Sequence, residues 1–351
     1  MENRYKYNVI NYMPKSGNIG IVIVAFNRKE YIMEAINSVI KQKAEKLTYI
    51  VTVVKNFLDD KIDKFINMNN INNIYTDDIS LGYKILLGVI FTNAQIICFL
   101  EDDDLFIEDK IDIVYKKFKE NKNLVYYHNS MIPIGDGNQI LTKWYKQENR
   151  SLICDSRSKL KILRRLIRYG GHNMSSISVS RNIILRNTKM FVNSTHNLDY
   201  SILLLALSSC GLILSDSDRV TYYKMHSSAV HINDKNYEGF VSKVCILKEN
   251  SINTLYNLHP CIIGKNIVVE NIYQLMLNQY LISHSFFCDS SPSVSIIKYI
   301  SLFKYQYSIK NYFMYLILLI LFKWKGFMKI KRKLLEYYHK NYEILQKRGV
   351  I

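Results

Sequence analysis

Chemistry is densest at Glu101-Asp102-Asp103-Asp104, four carboxylates in a row directly behind the apolar run Ile96-Ile97-Cys98-Phe99-Leu100. Adjacent like charges repel and have no folding reason to gather, and a divalent cation resolves the repulsion. Carboxylate oxygens suit Mg²⁺ or Mn²⁺, hard ions that take one or two side chains and fill the rest of an octahedron with water and substrate phosphates. The competing reading is a solvated acidic turn that caps the helix beginning near Asp109. Two other stretches hold residue types that move or stabilise protons. Asn197-Leu198-Asp199-Tyr200 places an acid at the opening of an apolar helix, where it serves either as a general base or as a charge favoured by the helix dipole. Tyr222-Tyr223-Lys224-Met225-His226 ends in an imidazole. His172, in the turn Gly170-Gly171-His172-Asn173, is left without a role.

The elements that must position these residues alternate. Residues 19–25 are a β-branched apolar run suited to a strand buried on both faces, and Ile32, Ile36, Val39 and Ile40 follow at helical spacing. The pattern repeats as strands over 49–54, 71–75 and 96–100, with helices over 61–68 and 80–92 between them. Such alternation predicts an α/β fold with a mostly parallel, doubly wound sheet, whose ligands bind beyond the carboxyl ends of the strands. The acidic run lies at that edge. Further on, the sequence predicts a helix over 108–120, a strand over 124–128, a strand over 175–180, a helix over 198–207 and a strand over 220–225. The basic segment 159–168 reads as a solvated helix face. Beyond residue 234 the pattern is helical, so two regions are expected, 1–234 and 235–351.

Length and composition bound the partners. A chain of 351 residues with 48% hydrophobic and 22% charged residues buries a proper core and is neither collagen-like nor disordered. The formal net charge of +17 favours anionic partners, and the segment from Lys298 onward holds 12 Lys and Arg against 2 Glu. Beside that charge lies the uncharged, apolar run 311–322. It is too short to span a bilayer, which takes about 20 apolar residues, but its flanking Lys and Trp suit a helix lying in a membrane interface. The alternative is a core helix followed by a solvated basic one. The six cysteines stand singly in apolar surroundings, without a Cys-x-x-Cys pair, and read as reduced thiols. Residues 1–15 contain no apolar run, so the expected compartment is the cytoplasm, with peripheral attachment to the cytoplasmic face of the membrane.

The stretch from Ile19 to about His231 resembles glycosyltransferase family 2, with its GT-A fold, in the order of its motifs. The strand ends in Ala25-Phe26-Asn27-Arg28, the first helix in Ser38-Val39-Ile40-Lys41-Gln42, and the fourth strand in Glu101-Asp102-Asp103, which resembles the family's Asp-x-Asp signature. Asp199 stands where the family carries its catalytic base, and 222–226 resembles a Tyr-Arg-x-His stretch whose His approaches metal and diphosphate. The resemblance implies a nucleotide-sugar site of Ala25, Phe26, Asn27, Arg28, Asn56, Lys84, Asp102 and His226. It implies metal ligation by Asp103, Glu101 and His226, with Asp103 foremost, and Asp199 as base. The chain departs from the family at Lys55-Asn56, where many members have Asp-Asp. It departs again at Lys84-Ile85-Leu86-Leu87-Gly88, in place of Ala-Arg-Asn-x-Gly, and at Glu101.

The expected activity is therefore inverting, Mn²⁺- or Mg²⁺-dependent transfer of a sugar from a nucleoside-diphosphate sugar to an acceptor hydroxyl, with a lipid-linked glycan the expected acceptor. Two rivals stand beside it. One is a basic nucleic-acid-binding protein with a Rossmann-like domain, suggested by the charge together with 27 Tyr and 15 Phe for stacking. The other is a glycosyltransferase-like protein without activity, suggested by Lys55-Asn56 and Ile85. Against nucleic acid, the charge gathers beside an apolar helix, and the ligand edge carries carboxylates rather than cations.

Overall fold

The computed structural model describes residues 7–13, 15–44, 47–141, 151–226, 236–288, 290–324 and 326–347. His231 and the expected boundary at 234 lie outside them. The first half follows the βα alternation: β1 (Tyr7–Asn11), β2 (Gly17–Ala25), α1 (Ile32–Ile40), β3 (Tyr49–Lys55), α2 (Asp60–Met68), β4 (Asn72–Thr76), α3 (Leu81–Ile90) and β5 (Ala94–Glu101). Next come β6 (Leu105–Phe106), α4 (Lys110–Glu120), β7 (Leu124–Ile134), β8 (Ser151–Cys154), α5 (Leu160–Tyr169), β9 (Ile177–Ser180), α6 (Arg181–Leu185), α7 (Thr188–Val192), α8 (Leu198–Leu207) and β10 (Leu212–Lys224). The helical remainder is α9 (Tyr237–Ile262), α10 (Ile267–Phe287), α11 (Ile296–Ser301), α12 (Ile309–Leu321) and α13 (Phe327–Lys347).

The strands form a sheet in the order β1-β4-β3-β2-β5-β9-β7-β10-β6, with β8 on β10. β4, β3, β2 and β5 run parallel, as do β7 and β10, while β9 enters antiparallel between β5 and β7. Alternation along β2 explains why both faces are covered. Ile19, Ile21 and Ile23 face a core under α1, α2 and α4, whereas Val22 and Val24 face a second core under α3 and α5 to α8.

That second core does not stop at the sheet domain. Leu255, Leu258 and Ile262 of α9, with Ile272, Tyr273 and Leu275 of α10, belong to the same buried cluster as Leu203 and Leu207 of α8. Helices α9 and α10 thus pack on the domain, while α12 buries only Tyr312 and Leu319. Ile309, Phe313, Met314, Ile317 and Ile320 of α12 are exposed, and Ile297, Ile300 and Phe303 continue this apolar face. Among the described residues no helix is long and apolar enough to cross a membrane.

Two expectations need correction. The cysteines are not uniformly buried, reduced thiols: Cys98 and Cys154 are buried, Cys210 is exposed, and Cys245 and Cys288 form a disulfide between α9 and α10. Their separation in sequence hid the pairing, because the antiparallel helix pair alone brings them together. The last strands are also longer than periodicity indicates. β7 runs to Ile134, and β10 starts at Leu212, because these two strands pair in parallel across register shifts that break their alternation.

Candidate active site

The carboxyl end of β5 delivers Glu101 and its three neighbours onto the sheet edge between β2 and β10. Ser38 of α1 and Gln42, just beyond its end, hold the chain that leaves the acidic run. Gln42 Nε2 donates to the Ile107 carbonyl at 2.8 Å, its Oε1 accepts from the Ile111 N–H at 3.0 Å, and Ser38 Oγ accepts from the Phe106 N–H at 3.0 Å. Ser38 and Gln42, noticed in the sequence as a motif, therefore fasten the segment that follows the acidic run.

Within the run the carboxylates have different partners. Asp102 Oδ2 accepts from the Phe26 N–H at 3.1 Å, and Arg28 bridges Asp102 and Asp103. Asp103 Oδ2 also faces His226 Nε2 at 2.9 Å. Asp104 is 1% exposed; its Oδ1 accepts from the Lys224 N–H at 2.9 Å, while its Oδ2 has no hydrogen-bond partner among the described residues. Burial pushes Asp102 and Asp104 up to about 7, with the neighbouring Asp103 charge adding to both, and it pushes Glu101 well above the usual carboxylate range. Burial works the same way on Asp103, but His226 and Arg28 outweigh it and hold that carboxyl low. A buried carboxylate oxygen without a hydrogen-bond partner is the kind of donor that Mn²⁺ or Mg²⁺ takes, but among the described residues no three of these carboxylates and His226 bring donor atoms within 4.8 Å of one another. Asp104, which is not among the ligands the resemblance implies, offers the one open, buried oxygen of the run among the described residues.

Asp199 lies in the first turn of α8. Its Oδ1 accepts from the Tyr200 N–H at 2.8 Å, and the Asn173 N–H also donates to it. Burial nevertheless raises the carboxyl to about 6, because desolvation of the charge exceeds these bonds. Asp199 in turn raises Glu101 through its charge, which places it near the acidic run. The segment 173–175 lies between them: the Asn173 backbone serves Asp199, and the side chains of Asn173 and Ser175 lie near enough to the Asp104 carboxyl to lower it. Ser175 Oγ also accepts from the Glu101 N–H at 3.0 Å. The fully buried Lys110 donates to the Ser175 carbonyl and to Thr221 Oγ1, which ties this segment to β10.

The local turns follow from asparagine. Every described non-glycine residue with positive φ is Asn, and three of the five ring the cleft: Asn27 (φ 58), Asn173 (φ 61) and Asn197 (φ 55). Asparagine tolerates the left-handed region better than most residues, so these turns form at little cost. Asn27 is pinned further by reciprocal bonds with Asn56, at 2.8 and 2.7 Å. Ala25 is buried at the end of β2, and the Phe26 ring beyond it is 41% exposed.

Other expected residues lie less directly at the cleft. Lys84 is buried behind Phe26, its Nζ 4.9 Å from the ring centroid, and donates to the Asp78 carbonyl; burial lowers it to about 8. His172 stacks edge-on against Tyr200. Asp216 and Asp218 both pair with Lys117 at 2.8 Å. Periodicity missed the tyrosines on the Asp199 side. Tyr200, Tyr280, Tyr307 and Tyr315 perturb one another's ionisation or that of Asp199's neighbours, and three of the four come from the C-terminal helical region.

The family model described as Glycosyl transferase family 2 matches residues 20–180. The chain carries a glycosyltransferase family 2 domain. Its fold is GT-A and its activity class is that of a glycosyltransferase. The crystal structure of S. aureus TarS residues 1–349 in complex with UDP superposes with a TM-score of 0.54 at 13% identity, covering 95% of this chain and 92% of that one. The TarS 1–349 complex with UDP-GlcNAc superposes with a TM-score of 0.51 at 14% identity and the same coverage. At such identity the likeness is one of fold, and it extends over the C-terminal helices as well as the domain. No curated protein sequence matches the chain.

Proposed function

We propose that this glycosyltransferase transfers a sugar, with inversion, from a nucleoside-diphosphate sugar to a hydroxyl of a lipid-linked glycan at the cytoplasmic face of a membrane. The observation that carries the reading is segment 173–175, whose Asn173 backbone serves Asp199 and whose Ser175 hydroxyl accepts from the Glu101 N–H at 3.0 Å, so that Asp199 and the acidic run share one segment. Donor and acceptor chemistry are then positioned by one segment.

Phe26, Asn27 and Arg28, backed by Asn56 and Asp102, frame the donor nucleotide at the end of β2. Fold likeness to UDP-bound TarS makes UDP the first nucleotide to test. Asp103 and His226, which face each other at 2.9 Å, and Asp104 with its open oxygen are the residues that would hold Mn²⁺ or Mg²⁺ after side-chain rearrangement. That ion, when bound, neutralises charge developing on the departing diphosphate. Arg28 supplies fixed positive charge at the same edge. Asp199 Oδ accepts the proton of the acceptor hydroxyl, and its carboxyl, at about 6, is ionised at neutral pH yet close enough to it for efficient proton transfer. One displacement from the face opposite the diphosphate inverts the anomeric centre. Tyr200, Tyr280, Tyr307 and Tyr315 wall the Asp199 side with rings and hydroxyls suited to a sugar acceptor.

Membrane attachment rests on the exposed apolar face of α11 and α12, rimmed by Lys298, Lys304, Lys310 and Lys323. Anionic headgroups attract such a rim by about 1 kcal/mol per cation near the surface. The test is thermal stabilisation of the full chain by UDP with and without Mn²⁺, followed by transfer from UDP-sugars to extracted lipid-linked acceptors. Stabilisation by UDP that is independent of Mn²⁺ removes the metal site, and absence of transfer to every lipid fraction removes the acceptor class.

A further inference from the structure

Outside the cleft, one cluster carries ligand chemistry that the transfer reaction does not use. Cys245 lies on α9, and His284 and Cys288 lie one helical turn apart at the end of α10. One donor atom from each, two sulfurs and an imidazole nitrogen, lie within 4.8 Å of one another. Lys331 of α13, 3% exposed, donates to the carbonyls of Ser285 at 3.2 Å and Cys288 at 3.0 Å.

A disulfide needs only the two sulfurs, with Cα atoms at a distance such as the 5.6 Å found here. The imidazole is the surplus element, and with two thiolates it makes a Cys₂His set. Zinc takes sulfur at about 2.3 Å and nitrogen at about 2.0–2.1 Å in a tetrahedron, leaving the fourth position to water. Donors already within 4.8 Å reach that geometry by side-chain rotation once the sulfurs part. We propose that the reduced chain binds a soft divalent cation, zinc by preference, through Cys245, His284 and Cys288, and that the disulfide and the metal are mutually exclusive states of this site.

The exchange balances. A dithiol or phosphine reductant gives two electrons and is itself oxidised, and the S–S bond becomes two thiols with two protons. Metal binding then releases the thiol protons to solvent. Both states clamp α9 to α10 beneath α13, where Phe240, Val244, Phe287 and Leu335 pack together.

Co²⁺ distinguishes this site from the carboxylates of the cleft, because only thiolate ligands add sulfur-to-cobalt charge-transfer absorption in the near ultraviolet. The full chain is reduced with a phosphine, saturated with Mg²⁺ and titrated with Co²⁺. The expected result is a charge-transfer band saturating at one equivalent, removed by Zn²⁺, and absent from chain oxidised before the titration. Cys245→Ser loses the band, and His284→Ala weakens cobalt binding at least tenfold. Absence of the band from the reduced parent chain overturns the proposal, as does an undiminished band in Cys245→Ser. Comparing oxidised and reduced parent chain requires no variant, so misfolding of a variant leaves the test intact.

Discussion

Asp199→Asn is expected to lower transfer and raise stability together, a combination that damage to the fold does not produce. Asn keeps the shape and one oxygen to accept the Tyr200 N–H, now at 2.8 Å, but cannot take the acceptor's proton. Loss of a positioned base costs about 10²–10⁴-fold in transfer. The stability term follows from burial, which raises the carboxyl from 3.8 to about 6. The folded-state value exceeds the unfolded one, so ionising Asp199 costs the folded chain stability. Below the unfolded value both states are protonated and the cost is nil; it grows as pH rises to about 6 and is full above that. Roughly two pH units at about 1.4 kcal/mol each give at most about 3 kcal/mol. Urea denaturation of parent and variant at pH 4 and pH 8 should therefore show little difference at the lower pH and a more stable variant at the higher. UDP and Mn²⁺ affinity should stay near parental. Transfer within a few fold of the parent would falsify the assignment of Asp199 as base. A variant less stable at pH 8 would refute the account of its burial.

Three other outcomes are expected. Asp104→Ala should abolish Mn²⁺-dependent stabilisation by UDP, whereas Asp103→Ala, which also takes one partner from Arg28 and one from His226, should weaken nucleotide binding even without metal; calorimetric titration of UDP with and without Mn²⁺ separates the two. Phe313→Glu with Ile317→Glu should abolish flotation with anionic liposomes while leaving the melting temperature unchanged, since both side chains are exposed; equal flotation of variant and parent rejects the membrane face. Gln42→Leu should cost roughly 1–3 kcal/mol in denaturant unfolding, because it leaves the Ile111 N–H without its partner, while the Ile107 carbonyl keeps the Lys110 N–H.

The parallel half of the fold was legible because burial on both faces writes itself into single strands. An unbroken β-branched run such as 19–25 has few other destinations, and the acidic run behind 96–100 inherits its place at the ligand edge from that strand. The mixed half was less legible. β9 enters antiparallel and β10 pairs through shifted registers, so their side chains carry no steady period. At the candidate site, residue type drew attention to Asp199, His226 and the four carboxylates, but only the fold set their partners. Asp103 and Asp104 are identical in sequence. Only the fold turns one toward Arg28 and His226 and leaves the other with an open, buried oxygen. The tyrosines over Asp199 and the Cys245–His284–Cys288 cluster come from segments far apart in the chain. Their proximity is a consequence of how α9, α10 and α12 dock on the sheet domain, and no local pattern encodes a distance that long-range packing sets.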